Sequence, residues 1–324
     1  MIWSFSSSNL FRRCQRQWYY KTHVANSRAT KIPLQREIYL LSKLQSVAAW
    51  RGSVVDHVIS RRIVPALSNK WPVSTSKTLD YARSVFTTQL AFAKEHRVRE
   101  PGMSPTKAAD NFAALYPIEF GLEVSDQECD AAWKDVEQAL RNLLGAQKLL
   151  GYLSTATKLI PQRPLTFPFF GVTVRAVPDL IAFFKSQTPV IVDWKVHSFG
   201  VMDYRLQLAT YAVALSRCEP HKDFPACGPM APTSIRLLEF QLLTNKPRQY
   251  RLDETDIEEI DSYIAHSATE MRLADGDAIK GIPQPLEYPA AQFAEACKTC
   301  SFRTPCWEVQ SCQESSPMFF QSLI

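Results

Sequence analysis

The order of apolar and polar residues predicts helices over much of the chain, with strands in its second half. Serines before the first apolar-periodic segment suit a helix N-cap, and Asp253 is placed to cap the last helix. The segments with a helical pattern are 4–25, 33–68, 76–150, 203–217 and 253–273. The third of these is polar and contains no chemical motif, so we expect it to be a helical insertion.

Two adjacent strands are predicted in the middle of this pattern. The first, Val174–Phe184, is rich in β-branched and aromatic residues, and the second, Val190–Val196, is an apolar run. A short polar turn between them predicts a hairpin. Further strands are expected at 234–243 and 248–252.

The second strand is unusual because Asp193 and Lys195 interrupt its apolar run. Burying a charge is costly unless it is paired or binds a metal. Residues two apart leave a strand on the same face, and a hairpin would bring Asp179 to that face. Two carboxylates and one ammonium group at a sheet edge suit a divalent metal ion with a hydrolytic water beside it.

Composition narrows the possible classes of protein. The 324 residues make one large domain or two small ones, and 46% hydrophobic content is ordinary for a globular core. A net charge of +5 permits binding to a phosphate backbone without requiring it. With no apolar run of about 20 residues and no signal-peptide pattern, we expect no membrane association and a cytoplasmic (intracellular) location.

Cysteines supply a second signal near the end of the chain. Cys297 and Cys300 are three apart, and Cys306 and Cys312 follow closely. In a reducing compartment this spacing is typical of a metal site rather than of disulfides. A structural Zn²⁺ on these four thiolates is one prediction, and an iron–sulfur cluster is the other, because it also needs four thiolates.

The residues Pro178-Asp179 and Asp193-Trp194-Lys195 resemble the core motif of the PD-(D/E)xK nucleases. The chain is most similar to the RecB-type branch, in particular to the iron–sulfur CRISPR-associated exonucleases and the nuclease domains of AddB-type subunits. This resemblance implies an α/β, restriction-endonuclease-like fold, with a mixed central sheet flanked by helices. It also implies a single nuclease domain over 1–324, with the helical insertion at 76–150.

The same resemblance assigns roles to the motif. Asp179 and Asp193, together with the backbone carbonyl of Trp194, would hold Mg²⁺ or Mn²⁺. Lys195 would position or activate the attacking water.

Two helical motifs of the family complete the expected site. A Q-x3-Y pattern is matched by Gln207 and Tyr211, which share a helix face near the catalytic residues. A Gly-x3-His pattern is only partly matched, because Asp56 stands four residues after Gly52 and His57 comes one later. Neighbouring residues on a helix point about 100° apart, so one of Asp56 and His57 is the third metal ligand. Asp56 is slightly preferred, because carboxylates suit Mg²⁺.

The resemblance also implies a [4Fe–4S] cluster that joins the two ends of the chain, at 1–25 and 290–312. A Ser-rich first helix and a C-x2-C-x5-C tail carry this part of the similarity. Cys312 would then be spare, and structural Zn²⁺ remains the alternative. The four implied cluster ligands are Cys14, Cys297, Cys300 and Cys306.

Three functions follow as hypotheses. The first is a metal-dependent DNA nuclease acting on single strands or ends, in repair, CRISPR adaptation or anti-phage defence. The second is a catalytically degenerate nucleic-acid-binding scaffold, working as a subunit of a helicase or defence complex. The third is a zinc-bound interaction module. The expected partners are DNA and a helicase, defence or CRISPR protein, because the sequence contains no helicase motif of its own.

Overall fold

The structure is a computed structural model that describes residues 1–29, 32–197, 204–225, 230–276 and 285–314, with the backbone alone at 294 and 309–314. Its helices and strands form a mixed α/β fold, which confirms the predicted class. The strands are β1 (Ile2–Trp3), β2 (Lys158–Pro161), β3 (Leu165–Phe169), β4 (Val172–Ala176), β5 (Leu180–Phe183), β6 (Val190–Lys195), β7 (Arg236–Gln241) and β8 (Lys246–Tyr250).

The helices before β2 all lie within the first 154 residues, which are nearly half of the chain. They are α1 (Phe5–Arg13), α2 (Gln15–Tyr19), α3 (Pro33–Leu41), α4 (Val47–Val58), α5 (Val64–Ser68), α6 (Thr75–Glu95), α7 (Pro105–Ala108), α8 (Tyr116–Glu119), α9 (Asp126–Gly145) and α10 (Gln147–Ser154). Those after the motif are α11 (Arg205–Arg217), α12 (Glu254–Asp275), α13 (Ala294–Lys298) and α14 (Arg303–Glu314). Within the described ranges, none of them has both the length and the apolar character needed to cross a membrane.

A five-stranded sheet in the order β2-β5-β6-β7-β8 carries the candidate site. Strand β6 pairs antiparallel with β5 and parallel with β7, so the sheet is mixed, as predicted. A smaller sheet in the order β1-β4-β3 lies beside it. The parallel partner β7 follows α11, which connects the two central strands as a crossover helix.

Residues on the central strands alternate between two hydrophobic clusters, one on each face of the sheet. Ile181, Ile191 and Leu237 pack with α11, α12 and the small sheet on one face. Val192 and Leu238 pack on the other face, with α4, α6 and α9. The central strands are therefore covered on both faces, which makes a charged side chain within them costly.

The predicted strand Val174–Phe184 is wrong as a single element. The chain forms β4, leaves the ladder at Val177, Pro178 and Asp179, and then begins β5 in the other sheet. Proline has no N–H for a ladder hydrogen bond, which favours a break there. The hairpin partner of β6 is therefore β5, with Leu180 opposite Val192.

Two predicted helical stretches are also divided. The stretch 4–25 is broken at Cys14, where the backbone is extended, and it ends in a π-helical segment, Tyr20–Val24. The stretch 33–68 is interrupted before Ser46, whose side chain caps α4. Each break places a new N-cap inside an amphipathic pattern, and the pattern alone does not reveal it.

The segment predicted as an insertion contains α6 and α9, which pack on α4 in the hydrophobic cluster that also covers one face of the central sheet. Gly145 ends α9, and α10 follows after one residue. Asp253 caps α12 with a capping box, as predicted. The boundaries of the single domain, of the insertion and of the terminal cluster region stay predictions.

Candidate active site

Strand β6 brings Asp193 and Lys195 to one face of the central sheet. Asp193 is 1% exposed, and its Oδ2 lies 2.6 Å from Lys195 Nζ. Oδ2 is buried. Among the described atoms it forms this ion pair, but the geometry of the contact is not that of a hydrogen bond. Burial raises the pKa of Asp193, and the Lys195 ammonium opposes that rise.

Asp179 joins this pair from the residue that precedes β5. Its Oδ2 accepts a hydrogen bond from the backbone N–H of Trp194 at 2.8 Å. The antiparallel pairing of β5 with β6 sets this contact, because it places the start of one strand beside the end of the other. The carboxyl groups of Asp179 and Asp193, which the sequence predicted to meet, therefore lie together where β5 begins and β6 ends.

A third carboxylate reaches the cluster from helix α4. Gln162 donates its side-chain N–H to Asp56 Oδ1 and Oδ2, at 3.0 and 2.9 Å, and to Asp179 Oδ1 at 3.1 Å. The register of β2 on β5 places Gln162 there, since its backbone N–H donates to the carbonyl oxygen of Asp179 at 3.1 Å. Asp56 and Asp179 thus face each other across one neutral amide.

Burial and neighbouring carboxylates raise the pKa values of Asp179 and Asp56. Burial, followed by the charges of Asp193 and Asp56, raises the pKa of Asp179 to about 8. Burial raises the pKa of Asp56 to about 6, with the Gln162 hydrogen bond acting in the opposite direction. Such a cluster of acids is unfavourable in its ionised form unless positive charge compensates for it.

Asp56 and His57 point to different neighbours. Whereas Asp56 faces the other two acids, His57 Nε2 lies 2.9 Å from the hydroxyl of Tyr81 on α6. The rings of His57 and Tyr81 are also stacked, with centroids 6.1 Å apart. The structure therefore places Asp56, and not His57, next to Asp179.

Helix α11 adds the two residues of the Q-x3-Y motif. Lys195 Nζ donates to Gln207 Oε1 at 3.1 Å, and Gln207 Nε2 donates to the Tyr211 hydroxyl at 2.5 Å. Burial raises the pKa of Tyr211, with further contributions from Asp193 and Asp179. The ring of Tyr204, just before α11, lies under Lys195 Nζ at 4.2 Å.

The structure thus assembles most of the residues that the sequence nominated, although their roles as ligands and catalysts stay predictions. The assembled residues are Asp56, Asp179, Asp193, Lys195, Gln207 and Tyr211. Trp194 takes part through its backbone N–H, and its side chain packs on the opposite face against Phe240. Three carboxyl groups and one ammonium group are thereby gathered in one place.

A family model described as the PD-(D/E)XK nuclease superfamily matches residues 2–307. The chain belongs to the PD-(D/E)XK nuclease superfamily. The match spans both the sheet with its acids and the cysteine-containing ends. The nuclease interpretation is therefore confirmed at the level of the superfamily.

Other comparisons are weaker. No curated protein matches this PD-(D/E)XK chain significantly. A crystal structure of a "Putative exonuclease" from Eubacterium rectale is similar with 12% identity and a TM-score of 0.40, covering 91% of this chain and 90% of the other. A protein named SSO0001 is similar with 13% identity and a TM-score of 0.29, covering 69% of this chain and 94% of the other.

Nucleases of this superfamily typically use Mg²⁺ or Mn²⁺. Three converging carboxylates, compensated by one lysine, are the hard oxygen donors that such ions prefer. Within the part of the chain that the structure describes, no three His, Cys, Asp or Glu side chains form a ready-made metal site. Gln162 and Lys195 currently contact the carboxylate oxygens, so cation binding requires a small rearrangement of these two side chains.

Two residues near the nuclease site were not found from the sequence. Gln162 carries no motif signal, and its φ of 51° lies in the left-handed region. Glu239 is in register with Asp193 on the neighbouring strand, is 0% exposed, and accepts a hydrogen bond from the Tyr250 hydroxyl at 2.9 Å. An acid inside the apolar run of β7 was a usable signal for Glu239, of the same kind that singled out Asp193.

The predicted cluster ligands also come together. One small cavity is lined by Cys14, Cys297, Cys300 and Cys306. Burial raises the pKa of Cys300 to about 11, with contributions from the other three thiols. Arg16 Nη1 lies 3.6 Å from Cys306 Sγ, and the side chain of Cys312 lies outside the described residues. Four thiols are the number and type of ligand that an iron–sulfur cluster or a structural zinc ion needs, and whether these four hold a metal stays a prediction.

Proposed function

We propose that this protein is a metal-dependent DNA nuclease that hydrolyses phosphodiester bonds on single strands or ends. The observation that carries the proposal is the convergence of Asp56, Asp179 and Asp193 beside Lys195 at one sheet edge. Membership of the PD-(D/E)XK superfamily supports the reaction class. The choice of DNA, and of single strands, comes from the resemblance to RecB-type enzymes.

The proposed mechanism assigns each residue a task. Asp56, Asp179, Asp193 and the carbonyl of Trp194 would hold Mg²⁺ or Mn²⁺. The bound cation would supply Lewis-acid polarisation of the phosphate and a lower pKa for the attacking water.

Lys195 stabilises the negative charge that develops on the phosphate. A 3.1 Å hydrogen bond from Lys195 Nζ to Gln207 Oε1 holds the ammonium group in position. Tyr211 in turn holds Gln207, so the α11 residues act on the lysine. Burial of Asp193 excludes water from this side of the site, which strengthens the ammonium–phosphate attraction.

We further infer that the four clustered thiols hold a [4Fe–4S] cluster that joins the two ends of the chain. The shared cavity of Cys14, Cys297, Cys300 and Cys306 supports this inference. A structural Zn²⁺ uses the same number of thiolates and is the alternative. In either case the thiolates link residues nearly 300 positions apart, which stabilises the fold by closing a long loop.

A cleavage assay tests the nuclease proposal. Single-stranded, double-stranded and circular DNA are incubated with the protein and either Mn²⁺ or Mg²⁺. Asp193→Asn and Lys195→Ala should abolish cutting and retain DNA binding, while Lys185→Ala, in the exposed turn before β6, serves as the matched control. Unchanged cleavage by both site variants would reject the proposal.

The second candidate function is a scaffold subunit that binds nucleic acid beside a helicase or a defence or CRISPR protein. The contacts of Gln162 favour it, because a neutral amide now lies between two of the three acids. A protein that binds DNA but nicks no substrate with either ion would support this candidate over the nuclease.

A further inference from the structure

A cavity opens next to the catalytic helix α11 and leads away from the carboxylate cluster. It has a volume of about 310 Å³, and Gln207 and Tyr211 form its wall on the side of the site. On the far side it is lined by Ser4, Ser6 and Arg175. A space of this size accepts a group of about the size of one nucleotide, but no duplex.

A second cavity continues from the first. It has a volume of about 620 Å³ and shares the lining residues Ser4, Ser6 and Arg175. It is also lined by Lys21 and His23, which lie in the π-helical segment after α2. The two cavities therefore adjoin. Together they are here called the α1 groove, which extends from Gln207 and Tyr211 across the start of the chain.

Arg175 lies where the two cavities join. It is exposed on β4, and its guanidinium has no ion-pair or hydrogen-bond partner among the described residues. Arg217, by contrast, donates two 2.7 Å hydrogen bonds to Asp261. A guanidinium left without an anion, in a cavity that reaches the site, is suited to a phosphate group.

The remaining charges of the groove also favour an anion. Among the described residues, its one acidic lining residue is Asp275, which is already paired with His23 at 3.0 Å. Lys21 adds positive charge to this lining. The groove therefore presents uncompensated cations to its contents, along with the hydroxyls of Ser4 and Ser6 as hydrogen-bond donors.

An aromatic ring beside the site suits an unpaired base. Phe5 lines the first cavity, as do the serines on either side of it in the sequence. Base stacking on an aromatic side chain is a common feature of single-strand binding sites, where it accompanies contacts to the backbone phosphates. By contrast, a cavity of about 640 Å³ between α10 and β7–β8 shares no lining residue with the site.

We propose that the α1 groove binds single-stranded DNA on one side of the scissile bond, with Arg175 as its phosphate contact. This inference rests on the proposed nuclease function and adds to it a substrate path and a residue that acts in binding. Arg175 is a positioning residue for the strand, since no described contact joins it to the carboxylates. The groove explains how one strand, and not a duplex, would be guided to Lys195.

The test compares a long and a minimal substrate on the full chain. The long substrate is a fluorescent single-stranded 20-mer. The minimal one is bis(p-nitrophenyl) phosphate, whose single phosphate leaves no second phosphate for Arg175 when it occupies the site. For Arg175→Glu we expect the KM for the 20-mer to rise about tenfold or more, with the salt dependence of binding weakened by about one phosphate contact. Hydrolysis of the minimal diester should remain as in the unsubstituted protein.

Two control variants keep this test interpretable. Arg28→Glu makes the same charge change at an exposed arginine outside both cavities and should leave both substrates unaffected. Arg175→Gln removes the charge without reversing it, and it replaces Arg175→Glu if that variant melts earlier than the unsubstituted protein. Its effect on the 20-mer should have the same direction and a smaller size.

The possible outcomes separate the two proposals. If Arg175→Glu and Arg28→Glu weaken the 20-mer equally, or if Arg175→Glu slows the minimal diester as well, the groove is not the strand path. If the unsubstituted protein neither cleaves nor binds DNA, the nuclease function fails, and the groove fails with it. Loss confined to the 20-mer and to Arg175 supports both.

Discussion

The side-chain amide of Gln162 donates hydrogen bonds to both carboxylate oxygens of Asp56, at 3.0 and 2.9 Å. The same nitrogen reaches Asp179 Oδ1 at 3.1 Å. One neutral donor therefore holds together two acids that come from a helix and from the start of a strand. These hydrogen bonds favour the ionised form of Asp56, and they also put the amide between the two acids, where a cation would have to replace it.

Replacing Gln162 with alanine should destabilise the metal-free protein. The loss of hydrogen bonds to buried carboxylates is worth about 1–3 kcal/mol, and it should appear as a lower midpoint in urea unfolding. Gln127→Ala, at an exposed position of α9, is the matched control and should be neutral. An unchanged midpoint for Gln162→Ala would mean that the amide contributes nothing to the cluster.

Asp56 and His57 should respond differently to substitution. Because Asp56 lies beside Asp179 while His57 contacts Tyr81, Asp56→Asn should weaken Mn²⁺ binding and cleavage by about tenfold or more. His57→Phe preserves the stacking on Tyr81 and should leave Mn²⁺ affinity within about threefold of normal. Calorimetric titration with Mn²⁺ measures both. A larger loss for His57→Phe would assign the third ligand to the histidine.

The stability of the metal-free protein should fall as pH rises. The folded-state pKa of Asp179 is raised to about 8 and that of Asp56 to about 6, whereas an unfolded aspartate titrates near about 4. The folded protein therefore binds more protons between these values, and the stability present below about pH 4 is lost as pH rises through about 6 and 8. Urea unfolding from pH 5 to pH 9, in the presence of a chelator, measures this loss.

Divalent metal should reverse that trend. Binding must displace the protons held by Asp56 and Asp179, so the apparent Mn²⁺ affinity should rise between about pH 6 and pH 8. The increase in melting temperature on adding Mn²⁺ should grow over the same window. An Mn²⁺-induced increase that is the same at pH 6 and pH 8 would indicate binding elsewhere.

The thiol site makes a prediction that is independent of DNA cleavage. Protein purified without oxygen should be brown and absorb at about 400 nm if it holds an iron–sulfur cluster. Cys300→Ser should remove this absorbance, whereas Cys129→Ser, a buried cysteine outside the thiol cavity, should retain it. Colourless protein containing about one zinc per chain would favour the zinc alternative.

In the fold, features set by residues close together in the sequence were predicted, whereas features set by distant parts of the chain were not. The helix cap at Asp253 and the shared face of Asp193 and Lys195 depend on residues two or three apart, and the sequence predicts both. The break between β4 and β5 was missed, because both segments have strand composition and only the change of sheet separates them. Pro178 and Asp179 mark the position of the break, but the sequence does not show that the chain changes sheet there.

By itself, the sequence determined the class of the fold, the polar pair inside β6 and the motif order that places the chain among the PD-(D/E)XK nucleases. Only the tertiary structure decided that Asp56 rather than His57 faces Asp179, and that Gln162 joins the two acids. It also placed Arg175 in a cavity beside Gln207 and Tyr211. The physical reason is distance along the chain. Spacing within one helix or strand defines a shared face, whereas the meeting of α4, β2 and β5 depends on how their apolar sides pack.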